Sequence, residues 1–185
     1  MYKDFTIECK DIILREYRVE DIDAMYAITC EPEVLEFLPD WNAPKEQRLD
    51  WLVNYEIGEN KQFLKAVAEG GAIGELRLRL AVISKETGEF IGWCCSGIKE
   101  ELPPPNREIM YAISNKYSNK GYTTQAVQGM VNYLFENTDV EELVALALTH
   151  NIPSNRVIQK SGFESVGITE IEDEKYHYYR LCSGK

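Results

Sequence analysis

The chain has 185 residues, of which 44% are hydrophobic, and this is enough for a single domain over residues 1–185 with a substantial core. Its formal net charge is -11, from 20 Lys and Arg against 31 Asp and Glu, which argues against a general nucleic-acid binder because such proteins need clustered cations. The 5 cysteines show no C-x-x-C spacing, so neither a disulfide framework nor a zinc site is indicated, and we expect no metal.

The acidic balance permits attraction of a cationic partner such as an amine, although a solvated acidic surface that aids solubility is the simpler explanation. The first ten residues are mixed and polar, and no apolar run approaches the roughly 20 residues of a membrane span. We therefore expect a cytoplasmic protein without a membrane partner. The oligomeric state, monomer or homodimer, stays open.

Hydrophobic periodicity predicts one strand and two helices in the first part of the chain. The strand covers residues 12–17, the first helix covers 21–29 and stops before Pro32, and the second helix covers 45–55. The other expectations here are a loop over 35–44, a helix break at Gly58, and a segment, 62–68, that fits either a helical turn or a short strand.

The middle of the chain predicts a β-hairpin. Apolar and other residues alternate over 76–83, which is the period of a half-buried strand. Residues 84–89 (SKETGE) are typical of a hairpin turn, and residues 90–98 form the return strand. The three prolines at 103–105 predict a stiff connector that is too short to separate two domains.

An apolar strand, a glycine-containing turn and an amphipathic helix then follow one another. The strand covers residues 108–113, the turn 118–122 (SNKGY), and the helix 123–137, with Thr123 or Thr124 as its cap. Backbone N–H groups at such a helix start have no intrahelical acceptor, and together with the helix dipole they can bind a phosphate group. On its own, however, one glycine before a helix more often marks an ordinary turn.

The last part of the chain adds two strands and a short helix. Residues 143–148 (LVALAL) are apolar throughout, as in a strand buried on both faces. The helix begins at Pro153 and ends at Gly162, and Phe163 is expected to pack back on it. With an aromatic strand over 175–180, the pattern is α+β, a mostly antiparallel sheet with one strand–helix–strand crossover.

Three segments resemble the GCN5-related N-acetyltransferase (GNAT) superfamily, and more closely its branch that includes ribosomal-protein alanine N-acetyltransferases. They occur in family order and spacing, and the resemblance covers residues 81–167 well and 12–55 more loosely. The segments are 82–92 (VISKETGEFIG), 108–113 (EIMYAI) with 120–126 (KGYTTQA), and 151–157 (NIPSNRV) with 160–163 (KSGF).

The resemblance implies the fold and the cosubstrate. The implied fold is a mixed, mostly antiparallel central sheet flanked by helices, with a splayed strand pair that forms the cleft for acetyl-CoA. The pyrophosphate would bind the amides of the turn before the long helix, and the pantetheine arm would run along the end of the preceding strand. The residues implied to bind the cosubstrate are Ala112, Ile113, Ser114, Asn119, Lys120, Gly121, Tyr122, Thr123, Thr124, Asn151 and Ser154.

The chain departs from the family pattern in two places. The three marked positions of the family turn hold Ser118, Gly121 and Thr123, so only the central glycine is kept. Many members place a tyrosine on the last helix as general acid, and the matching residue here is Ile158. The branch instead carries a serine one turn earlier, which Ser154 matches.

Two residues are therefore candidates for catalysis. Glu108 occupies a strand position where some GNAT members keep a catalytic glutamate, and a base is needed because a free amine is mostly protonated at neutral pH. Ser154 is the candidate acid. The alternatives are a paired or solvated strand-end carboxylate for Glu108 and a helix cap for Ser154. His150, Cys94 and Cys95 are interpreted as structural residues.

The implied function is transfer of an acetyl group from acetyl-CoA to a primary amine, a protein N-terminus or a small molecule, by direct attack in a ternary complex. The alternative is a non-catalytic regulatory module that binds acyl-CoA, which the missing tyrosine and the altered turn motivate. The sequence does not identify the acceptor. We expect residues 35–74 to form the acceptor wall, with Trp41, Trp51 and Tyr55 either lining a pocket or packing in the core.

Overall fold

Eight strands form one sheet, and helices cover both of its faces, in a computed structural model that describes residues 4–184. The strands are Thr6–Glu8 (β1), Ile12–Glu16 (β2), Leu78–Ser84 (β3), Phe90–Ile98 (β4), Arg107–Ile113 (β5), Glu142–Leu148 (β6), Glu164–Ile171 (β7) and Glu174–Cys182 (β8). The helices are Ile22–Thr29 (α1), Pro32–Phe37 (α2), Lys45–Trp51 (α3), Ile57–Ala68 (α4), Tyr122–Asn137 (α5) and Ile152–Lys160 (α6).

One parallel strand pair interrupts an otherwise antiparallel sheet. The strand order is β1-β2-β3-β4-β5-β6-β8-β7, and only β5 and β6 run parallel to each other. This pair shares a single register position, Glu108 opposite Val144, whereas β4 and β5 pair along their whole length. Beyond Glu108 the two parallel strands therefore diverge toward their carboxyl ends, and the expected splayed pair is confirmed.

Side chains alternate along each strand, so the two faces of the sheet carry separate hydrophobic clusters. On the face covered by α5, which we call the α5 face, Cys94 and Ile109 pack with residues of α4, α5 and α6. On the opposite face, the α1 face, Trp93, Cys95 and Ala112 pack with residues of α1 and α2. The alternation of β5 thus assigns even-numbered residues of this strand to the α1 face.

Most of the predicted elements are confirmed. The β3–β4 hairpin, β5, α5, β6 and α6 lie within a few residues of their predicted bounds, and so do the first predicted strand and helix. Gly162 follows the last helix with a φ of 95°, a left-handed conformation that favours glycine. The Phe163 N–H then donates to the Ile158 carbonyl at 3.3 Å, and both side chains lie in the same core cluster.

Two predictions for the first third of the chain were wrong. Gly58 does not break a helix, because α3, a π-helical turn over Leu52–Glu56 and α4 follow one another without interruption. A helical glycine costs only about 1 kcal/mol relative to alanine, which packing elsewhere on the helix offsets. Residues 35–44 are not a simple loop, since α2 begins at Pro32 and a 3-10 turn covers Pro39–Trp41. The undecided segment 62–68 is helical.

The two edge strands β1 and β7 were not predicted. β1 has only 3 residues, and β7 is exposed along most of its length, so neither shows a burial pattern that sequence periodicity detects. β7 also contains Gly167, next to which the register with β8 shifts. Glycine and bulges are common on edge strands and weaken the strand signal.

Candidate active site

β5 and β6 open a wedge, and a helix begins just beyond the end of each strand. No further register pair joins the two strands past Glu108 and Val144 within residues 4–184. β5 leads through a 3-10 turn, Asn115–Tyr117, into α5, and β6 leads through a short turn into α6. The amino ends of α5 and α6 therefore lie near the open end of the wedge. Carboxyl ends of parallel strands are the usual place for ligands in open sheets.

The turn before α5 has the backbone geometry of an anion-binding site. Asn119 and Gly121 have positive φ values of 59° and 77°, and Gly121 is the N-cap residue of α5. The first intrahelical bond returns to the Gly121 carbonyl at 3.1 Å, so the N–H groups of Tyr122, Thr123 and Thr124 have no intrahelical acceptor. These three donors and the helix dipole favour a phosphate group at this position.

The prediction that Thr123 or Thr124 caps α5 was wrong. Both residues lie within the first turn, and the N-cap position belongs to Gly121, which has no side chain to accept a hydrogen bond. Lys120 stands beside the same turn, with its Nζ 5.6 Å from the ring centroid of Tyr117. A cation at this place adds to the attraction of an anionic ligand.

Two carboxylates accept hydrogen bonds from the segment that connects β5 to α5. Glu31, the N-cap residue of α2, accepts hydrogen bonds from the Ser114 hydroxyl and the Asn115 N–H, both at 2.7 Å. Glu89 of the β3–β4 hairpin accepts a hydrogen bond from the Tyr117 hydroxyl, which lowers the pKa of Glu89. The hydroxyl of Ser114 is therefore engaged by Glu31. Its backbone N–H donates to the Ile91 carbonyl at 2.8 Å and its carbonyl accepts from the Tyr117 N–H at 2.9 Å, so the predicted contact of Ser114 with a cosubstrate finds no free hydrogen-bond donor.

The start of α6 brings Asn151 and Ser154 close to β5. Asn151 is the N-cap residue, and its Oδ1 accepts from the Ser154 N–H at 3.2 Å, so the cap role that was one alternative for Ser154 belongs to Asn151. The Ser154 hydroxyl lies 2.8 Å from the hydroxyl of Tyr111 in β5. Burial raises the pKa of Tyr111, so its phenol stays protonated at neutral pH. This hydroxyl pair links the two sides of the wedge.

Asn155, which was not predicted as a site residue, holds this region together. Its side-chain amide donates to the carbonyls of Leu148 at 3.0 Å and Asn151 at 2.7 Å, and its Oδ1 accepts from the Tyr179 hydroxyl at 2.6 Å. The buried amide therefore ties the end of β6, the cap of α6 and β8 into one unit. Its signal in the sequence is a polar residue on the buried face of a short amphipathic helix.

Glu108 is a buried carboxylate on the α1 face. Its side of the strand is shared with Met110 and Ala112, and the residue is 8% exposed. Burial raises the pKa of Glu108 to about 7, against a weaker opposing effect of Lys99. The neighbouring Arg107 does not neutralise it, since that guanidinium donates to backbone carbonyls instead. The pKa of this carboxyl group is thus shifted from the acidic range toward neutral pH.

A cavity of about 290 Å³ opens on the α1 face next to this strand. Trp41 and Trp51 line it, whereas Tyr55 is not part of the lining and is 63% exposed. Trp41 also stacks on the buried Trp93, with ring centroids 5.0 Å apart and an angle of 8° between the planes. Met110 completes the apolar lining, so the cavity extends to β5.

A buried ionic network forms one wall of this cavity. Arg48 pairs with Glu56, and Arg79 lies 3.7 Å from Glu56 and 2.6 Å from Glu59. Glu56 belongs to the π-helical turn, an uncommon element that often accompanies functional sites. The network was not predicted, because charged residues on a helix are normally solvent-exposed and sequence spacing alone does not show the partner on β3.

The acetyltransferase (GNAT) domain model matches residues 11–164 of the chain. The chain belongs to the GNAT family of N-acetyltransferases. A curated relative of this GNAT domain, the uncharacterized N-acetyltransferase YnaD of Bacillus subtilis (strain 168), is 26% identical over 163 residues, which are 87% of the chain and 84% of the relative.

Solved structures share the fold. A GNAT-family acetyltransferase from Bacillus anthracis superposes with a TM-score of 0.77 at 20% identity and covers 96% of this chain and 98% of its own. The aminoglycoside acetyltransferase AAC(6')-Ib in complex with coenzyme A gives 0.70 at 19% identity, covering 92% and 94%. RimL, a ribosomal L7/L12 alpha-N-protein acetyltransferase, gives 0.72 at 14% identity, covering 98% and 96%.

The GNAT domain brings most of the predicted site residues to the wedge. Those predicted to bind the cosubstrate fall at the end of β5, at the start of α5 and at the start of α6, namely Ala112, Ile113 and Ser114, then Asn119, Lys120, Gly121, Tyr122, Thr123 and Thr124, then Asn151 and Ser154. Cys94 and Cys95 are buried in the sheet, and burial raises the pKa of both thiols, that of Cys95 to about 11. His150 is exposed beside Phe37. Within residues 4–184, no helix has both the length and the apolar character to cross a membrane.

Proposed function

We propose that this GNAT domain transfers the acetyl group of acetyl-CoA to a primary amine by direct attack, with Glu108 as general base. The observation that carries the proposal is the raised pKa, about 7, of a buried carboxylate on the same face of the sheet as the aromatic cavity. General bases work best with a pKa near the operating pH. The acceptor amine, with a pKa of roughly 7.7–8.0 for an α-amine or ~10.4 for a lysine side chain, needs such a base.

The fit of acetyl-CoA to the wedge rests on the turn before α5. Apart from its chain neighbours, a Cβ at Gly121 would meet no protein atom within 4 Å, so no other segment covers the turn at this residue, and a pyrophosphate could approach the free amides. Asn119 and Lys120 border the same space. The backbone of Ala112 and Ile113, which β6 does not pair within residues 4–184, would hold the pantetheine arm. Acetyl-CoA would supply the activated acetyl thioester, and the remaining steps fall to protein groups.

Glu108 would accept the ammonium proton directly or through a water molecule, so that the free amine can attack. Its location suits this role because the cavity reaches Met110, which lies two residues further along the same face of β5. Successive residues on one face of a strand lie roughly 7 Å apart. An acceptor held between the two tryptophans and β5 would therefore present its amine near the carboxylate.

Ser154 would interact with the leaving thiolate of coenzyme A. The hydroxyl of Tyr111 would hold the Ser154 hydroxyl in place. A leaving thiolate has a pKa of about 8.5, well below that of a serine hydroxyl or of a buried phenol. The pair therefore stabilises the thiolate by hydrogen bonding more readily than by full proton transfer. Loss of this pair should cost less activity than loss of substrate positioning.

Release of free thiol from acetyl-CoA in the presence of a panel of amines tests the function. The panel includes an aminoglycoside, a peptide with a free N-terminus and free amino acids, because AAC(6')-Ib is an aminoglycoside acetyltransferase and RimL an alpha-N-protein acetyltransferase. We expect thiol release that depends on at least one primary amine and that disappears with the N-acetylated form of the same amine. Coenzyme A binding without release from any amine would favour the regulatory module instead.

A further inference from the structure

One arginine in the lining of the aromatic cavity has no acidic partner. Three arginines line the cavity, and two of them, Arg48 and Arg79, are neutralised by Glu56 and Glu59. The third is Arg77. Among residues 4–184 its guanidinium forms no ion pair and donates no hydrogen bond, and its backbone N–H donates to Glu59 Oε1 at 3.2 Å. Its positive charge is therefore available to a ligand.

Gly97 allows the side chain of Arg77 to lie across β4. A Cβ on Gly97 would meet Arg77 Cγ at 3.0 Å, Cδ at 3.1 Å and Nε at 3.2 Å, so the arginine stem occupies the space that a side chain would fill. Gly97 lies directly opposite Glu108 in the β4–β5 register. The arginine thus crosses β4 toward β5. Burial raises the pKa of Glu108, Lys99 opposes that rise, Glu101 adds to it, and Arg77 makes the smallest contribution, which lowers the pKa.

We propose that the amine acceptor also carries an anionic oxygen group, and that Arg77 binds this group while Glu108 takes the proton from the amine. The inference rests on the proposed acetyl transfer and specifies its acceptor. Neighbouring strands are about 4.8 Å apart, so Arg77 and Glu108 start roughly 10 Å from each other, and the arginine stem covers much of that distance. Because the stem brings the guanidinium toward Glu108, one small compound could reach both groups if its amine and its anion stand on the same or adjacent carbon atoms.

The other residues of the cavity lining indicate the size and the polarity of such an acceptor. Trp41, Trp51 and Met110 offer apolar surface in a space of about 290 Å³, which suits a small molecule with an apolar side chain. Asp40 is the other carboxylate besides Glu56 in the lining, and it is exposed. An unpaired guanidinium disfavours a polycationic amine by direct repulsion. The class that fits is therefore an α-amino acid or its phosphonate analogue with an apolar side chain.

Matched acceptors that differ only in the anion provide the test. We would measure kcat/KM by thiol release for phenylalanine, phenylalaninamide and the aminophosphonate analogue of phenylalanine. A hydrogen bond to a charged group is worth about 10- to 100-fold in affinity, so we expect the two anionic acceptors to exceed the amide by that factor. Phenylalaninamide has a less basic amine than phenylalanine, so more of it is unprotonated and ready to attack. This difference favours the amide, so it works against the expected preference for the acid. A phosphonate that exceeds the carboxylate would identify the better-fitting anion.

Variants of two neighbouring cations separate binding of the anion from tuning of the base. Arg77→Gln should bring the ratio of kcat/KM for phenylalanine to kcat/KM for phenylalaninamide close to one. Arg77→Lys should restore part of the preference for the acid. Lys99→Gln is the matched control, because Lys99 also lowers the pKa of Glu108 but does not line the cavity. Lys99→Gln should move the acidic limb of the pH–rate profile to higher pH. It should leave the ratio of kcat/KM for phenylalanine to kcat/KM for phenylalaninamide unchanged.

Binding of the reaction products gives a second readout without turnover. Calorimetric titration of N-acetylphenylalanine and its amide into the coenzyme A complex should show the same preference for the acid, lost in Arg77→Gln. Turnover of amines with equal kcat/KM for acid and amide, or a preference that survives Arg77→Gln, would overturn this inference and leave the acetyl transfer standing. Absence of thiol release with every amine would overturn the acetyl transfer and this inference with it.

Discussion

Replacement of Gly121 by valine tests the anion-binding turn. Gly121 has a φ of 77°, and a left-handed conformation costs an L-residue roughly 1–2 kcal/mol, more for a β-branched side chain. Apart from the two chain neighbours, no protein atom lies within 4 Å of the position of a Cβ on this residue, so a clash with another part of the protein contributes nothing. Within the protein itself, the effect of Gly121→Val therefore comes from the backbone conformation.

The backbone strain in Gly121→Val can be relieved by a local change in conformation. Rotation of the adjacent peptide relieves it, because the turn is exposed, but the rotation directs N–H groups away from the bound pyrophosphate. Each hydrogen bond lost to a charged phosphate costs about 1.5–3 kcal/mol, which corresponds to roughly 10- to 100-fold in Kd. We expect Gly121→Val to bind acetyl-CoA at least about 10-fold more weakly than the wild type.

Calorimetric titration of acetyl-CoA measures this change, with two control variants. Gly74→Val introduces the same side chain at a glycine with a φ of 54° and an equally open Cβ position, in the loop before β3, and should leave the Kd unchanged. Gly121→Asn should stay within a few-fold of the wild type, because asparagine tolerates the left-handed conformation. A folded Gly121→Val protein with wild-type affinity would show that the turn does not bind the phosphates.

Two further predictions concern stability. Burial raises the pKa of Glu108 from 4.5 to about 7, so the folded state binds this proton more tightly than the unfolded state, and the resulting stability is complete below the unfolded pKa and lost as the pH rises through about 7. Glu108→Gln should remove this pH-dependent loss of stability. Above about pH 8, its free energy of unfolding in urea should exceed that of the wild type by up to about 3 kcal/mol. An unchanged pH dependence of the unfolding free energy would contradict a buried carboxylate at Glu108. Asn155→Ala should destabilise the fold by about 2 kcal/mol or more, because it leaves buried groups unsatisfied, while Tyr179→Phe removes one hydrogen bond and costs about 1 kcal/mol. A double-mutant cycle without coupling between Asn155 and Tyr179 would be inconsistent with the observed hydrogen bond.

The central strands were predictable because their patterns are local. Residues 76–83 alternate, residues 143–148 of β6 are all apolar, and the β3–β4 hairpin has a turn with glycine, so each element follows from a few adjacent residues. The start of α5 was predictable only in part. Gly121 suggested a turn, but the threonines after it suggested a cap, and the choice between them depends on a backbone φ that residue types do not determine.

The missed features depend on contacts between distant segments. The ion pair of Arg48 with Glu56 and the contact of Arg79 with both glutamates require α3, the π-helical turn and β3 to meet. The hydrogen bond of Asn155 to Tyr179 likewise joins α6 to the last strand. The raised pKa of Glu108 is of the same kind, because it follows from the burial of this residue in the folded protein. Sequence spacing names the residue, whereas only the fold supplies its environment.

The pH dependence of kcat/KM in the wild type and in Glu108→Gln tests the role of this carboxylate most directly. With an acceptor whose amine titrates well away from neutral pH, the wild-type rate should rise through an apparent pKa of about 7, because the ionised carboxylate is the active base. Glu108→Gln should lack this limb and be about 100-fold slower or more above pH 8, with a smaller difference below about pH 6. A variant that keeps the same limb and a rate within a few-fold of the wild type would contradict Glu108 as the base.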